Sequence, residues 1–144
     1  MTSDGDSFDL KRFVDAQAPV YGNVIDELRS GRKRSHWMWF IFPQLLGLGG
    51  SPMAARYGIT SLHEARAYLH HELLGPRLRE CTQLVNQVQD CLIAEIFGSP
   101  DDLKLCSSMT LFALAADDNH DFVELLDKYY GGRRDPLTLA ELSG

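Results

Sequence analysis

The sequence predicts an all-α fold, a single compact domain spanning 1–144 with about seven or eight helices, several of them short. Three observations predict it. Helix-start signals, a capping residue or a proline ahead of an apolar run, recur at Ser7, Pro19, Ser51, Ser61, Pro76, Ser99 and Asp135. Glycines close several of these segments, at Gly31 and again at Gly131 and Gly132. No alternating apolar run of strand length stands out, and no Asn-Gly or Asp-Gly turn separates such runs.

Taken in order, residues 1–6 read as a disordered tail, and Phe8 to Gln17 as a first helix with Ser7 as its cap. Pro19 suits the first turn of a second helix, whose Val20, Val24, Ile25 and Leu28 share one face up to Gly31. Residues 37–42, WMWFIF, carry strand-forming side chains. A lone strand cannot satisfy its backbone, so the run is expected to be a short buried helix capped by Ser35 and stopped near Pro43. Ser51 and Pro52 open a short helix. Ser61 and Glu64 form a capping box for a helix through His70. Pro76 begins a helix with Leu78, Cys81, Leu84, Val85 and Val88 inward. Ser99 and Pro100, followed by Asp101 and Asp102, open a helix apolar around most of its axis, which makes it the central one. Phe122, Leu125, Leu126 and Tyr129 mark an amphipathic helix, and Asp135 with Pro136 begins a terminal one.

Composition narrows function by exclusion. The net charge is −6, and the two halves share it unequally. Residues 1–72 hold eight Lys/Arg against eight Asp/Glu, and residues 73–144 hold six against twelve. General nucleic-acid binding through a basic field is therefore not expected. The three cysteines, Cys81, Cys91 and Cys106, show no two-residue metal or redox spacing and read as reduced, mostly buried thiols of a cytoplasmic protein. The acidic N-terminus lacks a signal-peptide pattern. The longest apolar stretch, Trp37 to Leu48, is broken by Pro43, Gln44 and Gly47 and falls short of the ~20 residues of a spanning helix. No membrane association is expected.

The chemistry-bearing residues concentrate in GRKRSHWMWFIFPQ, residues 31–44. Arg32, Lys33 and Arg34 follow a helix end, where cations offset the dipole. With Ser35 and free N–H groups at the next helix start, and an indole beside them, they also form a recipe for a phosphate carrying a base. In that reading Trp37 or Trp39 stacks, and His36 with Gln44 orients the reacting part. His36 is the catalytic candidate, because neighbouring cations favour the neutral imidazole that a general base needs. GLGGSP, residues 47–52, lacks the spacing of a dinucleotide or nucleoside-triphosphate loop, so no cofactor is expected, although Ser51 could still offer its hydroxyl to an anion. HEARA and HELLG lack the second histidine of a zinc helix, and no metal site is expected. Ser107, Ser108 and Thr110 inside the central helix read as hydroxyls bonded back to carbonyls, or as one wall of a pocket.

The segments AQAPVYGNVIDELRSGRKRSHWMWFIFPQLLGLGGS, ARAYLHHELLGPRLRECTQLV and IFGSPDDLKLCSSMTLF resemble a family of small bacterial proteins, domain of unknown function 1810. The resemblance runs from about Phe13 to Leu139 and implies an all-α fold, with no activity, cofactor or catalytic residue to carry over. Some members bear a calpastatin-like label. The globular composition here argues against the disordered segments of that inhibitor. Two functions follow from the residues. One is binding of an anionic aromatic small molecule such as a nucleotide derivative, with hydrolysis as an extension. The other is a non-catalytic protein-interaction module with an exposed aromatic patch.

Overall fold

The computed structural model describes residues 7–143, so the tail expected at 1–6 lies outside the described residues. The chain is all-α, with ten helices among the described residues: α1 (Lys11–Gln17), α2 (Tyr21–Arg29), α3 (Met38–Ile41), α4 (Pro52–Tyr57), α5 (Leu62–His70), α6 (Leu74–Gln87), α7 (Ile93–Phe97), α8 (Asp101–Ala115), α9 (His120–Tyr130) and α10 (Pro136–Ser143). The only β-type pairing among them is an isolated parallel bridge, Leu45 to Ile59. No helix among the described residues is long and apolar enough to cross a membrane.

α8 is the central helix, as its all-round apolar pattern requires. Ser108 through Phe112 have no exposed surface, and α5, α7, α9 and α10 pack around it. Rings connect the layers: Phe13 meets Tyr68 edge-on at 5.1 Å, Tyr68 meets Phe112 at 5.3 Å, and Phe112 meets Phe122 at 6.0 Å. Such pairs add to the area their burial removes from water.

Local signals hold at several helix ends. Ser51 Oγ accepts from Ala54 N at 3.1 Å, and Asp135 takes both the N–H and the hydroxyl of Thr138. Gly31, Gly131 and Gly132 end their helices at positive φ. The capping box at Ser61 is half made. Ser61 Oγ accepts from Glu64 N, but the Glu64 carboxylate reaches one residue further, to Thr60 N and Oγ1, while also pairing with Arg12.

Four expected starts are displaced. Ser7 does not cap α1, which begins three residues beyond Phe8, after Asp9 at φ 54°. Pro19 precedes α2, with Val20 at its cap. Ser99 caps nothing, because Pro100 occupies the position before α8. Pro76 lies inside the first turn of α6, whose cap position is Leu73, and His71 Nδ1 accepts from Leu73 N at 3.0 Å and Leu74 N at 3.3 Å. The helix count exceeds expectation, and α7 is the element with no counterpart in the sequence reading. Its start is held by Glu95, whose carboxylate returns to Leu92 N at 2.7 Å. All three cysteines are free, but only Cys81 is buried. Cys91 and Cys106 are partly exposed.

Candidate functional site

The aromatic run is a helix of four residues, α3, and Ser35 does not cap it. The Ser35 hydroxyl donates instead to Glu27 of α2. Glu27 is 8% exposed and has no cation against it among the described residues, so burial on its own would drive its carboxyl toward the neutral form. Hydrogen bonds reverse that tendency. The Ser35 hydroxyl, Arg34 N (2.7 Å), Ser35 N (3.0 Å) and Trp37 Nε1 (3.0 Å) all donate to it, and the carboxyl is held at about 2. These donors are not the helix-start N–H groups expected from the sequence: they belong to Arg34, Ser35 and the Trp37 indole ahead of α3, and the protein's own glutamate takes them.

The residues of the 31–44 stretch consequently separate. Trp37 is 1% exposed and packs on Phe42 and Phe97, so it offers no face for stacking and is a core residue. Lys33 turns inward: its ammonium pairs with Asp101 at 3.0 Å, donates to Ser35 O at 2.6 Å and lies 5.0 Å from the Trp37 ring centre. Its N–H bonds to Ile96 O of α7, which fixes the segment against the core. The first turn of α8 is thus tied down by Lys33 rather than merely solvated. Arg32, Arg34 and His36 are exposed, and none of them is in the lining of the two adjoining concavities described below. Ser51 spends its hydroxyl capping α4.

Two residues of the set do meet at a concavity. A cleft of about 830 Å³ lies between the 44–49 loop, the first half of α8 and the connection from α9 to α10. Gln44 lines it, together with Leu48, Ile93, Leu103 and Leu137. Lys104, Arg133 and Arg134 are also in its lining. Trp39 lines an adjoining void of about 10 Å³ that shares Gln44, Gly49 and Lys104 with the cleft.

The cleft walls are held by specific bonds. On one side Ile59 N donates to Gln44 O, and Leu46 N to Ile59 O, both at 2.8 Å. On the other, the Tyr130 hydroxyl donates to Asp102 O, and Asp135 N donates to Thr110 Oγ1 at 2.9 Å. Ser107 lines the cleft while its hydroxyl returns to Leu103 O at 3.4 Å. Cys106 also lines it, its thiol pushed up by burial first and then by the Asp135 charge. A thiol held protonated is a poor nucleophile.

A family model described as "Protein of unknown function (DUF1810)" matches residues 7–142. The chain belongs to this family. It is also similar to the conserved hypothetical protein Rv1873 from Mycobacterium tuberculosis, whose crystal structure is known. The two are 72% identical, over 95% of this chain and 98% of that one, with a TM-score of 0.94. No curated protein matches the chain.

In this family member the sequence reading missed Arg133 and Arg134. Neither guanidinium has an ion pair or a side-chain hydrogen bond among the described residues, in contrast to Lys33. Their signal was available, as adjacent arginines between the helix-ending Gly131-Gly132 pair and the Asp135 cap. The reading also missed His120, Asp121 and Glu124, whose ligand-type atoms lie within 4.8 Å of one another at the start of α9. His120 and Glu124 pair at 3.6 Å, and Asp121 accepts from Gln83, which accounts for that cluster as an exposed polar face.

Proposed function

We propose that this protein binds an anionic small molecule with an apolar or aromatic body, such as a nucleotide derivative, in the cleft between the 44–49 loop, α8 and the α9–α10 connection. The observation that carries the reading is the pairing of mostly apolar walls, which also include Asp102 and Asp135, with two arginines that make no ion pair among the described residues. Ligand clefts have this character, an apolar lining with a few placed polar groups. Arginine forks match phosphate or carboxylate oxygens two at a time. Leu48, Ile93, Leu103 and Leu137 take the ring, Arg133 and Arg134 the anion, and Gln44 sets orientation.

The test is calorimetric titration with adenosine 5′-monophosphate, ribose 5-phosphate and inorganic phosphate, on the wild type and on Arg133→Ala/Arg134→Ala. Each charge-assisted contact is worth about 1.5–3 kcal/mol, so the double variant is expected to lose affinity by at least about tenfold. Its melting temperature should stay near that of the wild type, because both side chains are exposed and unpaired. Equal affinity in the two proteins would remove the arginines from the site. A second reading, a protein-interaction module, draws on Leu103 and Leu137, each 64% exposed at the cleft. It gains if no small anion binds and polar substitutions at both leucines weaken association with a partner protein.

A further inference from the structure

Trp39, which lines the small void beside the cleft, carries a buried donor without an acceptor. Trp39 Nε1 is inaccessible to solvent and has no hydrogen-bond partner among the described residues. Buried polar groups are paired in the great majority of cases, so an orphan of this kind calls for a physical account. The other tryptophan shows what an indole N–H ordinarily finds, since Trp37 Nε1 donates to Glu27. Around the Trp39 void stand Gln44, whose side-chain amide makes no hydrogen bond among the described residues, and Lys104, whose ammonium lies 5.7 Å from the Trp39 ring centre. Gln44, Gly49 and Lys104 line the void and the cleft together. The void of about 10 Å³ is on the scale of one oxygen-sized atom.

We infer that this inner end of the cleft receives a carbonyl oxygen of the ligand's ring, to which Trp39 Nε1 donates, with the Gln44 amide reading the adjacent ring N–H. This rests on the cleft reading above and names the ligand class within it: a ring with a lactam edge, carried on an anionic group. An indole N–H only donates, so the atom that meets it must be an acceptor. The primary amide of Gln44 both donates and accepts, which suits an edge offering C=O and N–H side by side. Lys104 favours the partial negative charge on such an oxygen. Arg133 and Arg134 belong to the cleft lining but not to that of the void, so the anionic group is assigned to the cleft and the carbonyl to the void.

The chain contains two tryptophans, so a ¹H–¹⁵N spectrum shows two indole N–H signals, with Trp37 as the internal control. The probes are inosine 5′-monophosphate, adenosine 5′-monophosphate, inosine and inorganic phosphate. The expected result is that the inosine compounds move the Trp39 indole signal downfield, while the adenosine compound and phosphate leave it in place. Trp39→Phe, which keeps an aromatic ring, is expected to lower affinity for inosine 5′-monophosphate about tenfold and to leave that for adenosine 5′-monophosphate unchanged. If cleft resonances respond to inosine 5′-monophosphate but the Trp39 indole does not, the inference is overturned, a lone water accounts for the orphan donor, and the cleft reading stands. A shift produced by inorganic phosphate alone also overturns it, because the void then holds the anion. If no cleft resonance moves with any probe, the cleft reading itself fails.

Discussion

Replacing Glu27 with alanine is expected to cost about 3–5 kcal/mol, and with glutamine about 2–3 kcal/mol. Alanine leaves a buried indole N–H and, in a partly buried setting, two backbone N–H groups and a hydroxyl without their acceptor. Glutamine keeps one oxygen and the shape but places an NH₂ group against donors. For a chain of this size ~3 kcal/mol corresponds to a melting temperature lower by roughly 6–12 °C. The effect has a pH signature with a definite sign. The folded-state pKa of Glu27 is lowered to about 2 from an ordinary 4.5, so its stabilisation is complete above the unfolded value and is lost as pH falls toward 2. The melting gap between wild type and Glu27→Gln should therefore be widest near neutral pH and should narrow between those two values. A gap that stays constant with pH would mean that the carboxylate is not the acceptor described.

Gly75→Ala is expected to be at least as damaging, at more than about 3 kcal/mol. A Cβ on Gly75 would lie 2.0 Å from Leu69 O and 2.9 Å from Leu69 C. Those are backbone atoms near the end of α5, so no side chain can rotate out of the way. Relief requires the turn from α5 to α6 to open, which unseats Tyr68, Leu74 and Leu78 from the core. Gly22 in α2 supplies the control. A Cβ there meets nothing within 4 Å, and Gly22→Ala should stabilise by up to ~1 kcal/mol through helix propensity. Chemical denaturation of the three proteins side by side checks both signs.

The all-helical class was legible because caps, helix-starting prolines and terminal glycines act within a few residues of chain. Ser51 and Asp135 cap the helices their positions announce. Ser35 looked the same from sequence and behaves otherwise, because a carboxylate eight positions earlier in the chain competes for its hydroxyl. Glu27 did carry a signal. It lies three residues after Val24 and next to Leu28, on the stripe that faces the core, where an unpaired acid has no apolar reason to be. α7 was illegible because five residues hold too little periodicity to register. The candidate site residues were half legible. Gln44 and Trp39 come from the stretch that composition singled out, whereas Arg133 and Arg134 reach the same concavity only because Tyr130 and Asp135 pin the α9–α10 connection to α8. That juxtaposition spans about ninety positions of sequence, and no local pattern encodes it.

On the proposed reading the anion goes to the cleft at 133–134 and not to the basic segment at 32–34, where Glu27 already takes the backbone N–H groups of Arg34 and Ser35. Mapping backbone ¹H–¹⁵N shift changes on adding adenosine 5′-monophosphate to the whole chain tests this directly. The account predicts changes centred on Gln44, Leu103, Arg133, Arg134 and Leu137, with Arg34, Ser35 and His36 unmoved. Changes centred on residues 32–36, with the cleft silent, would contradict it.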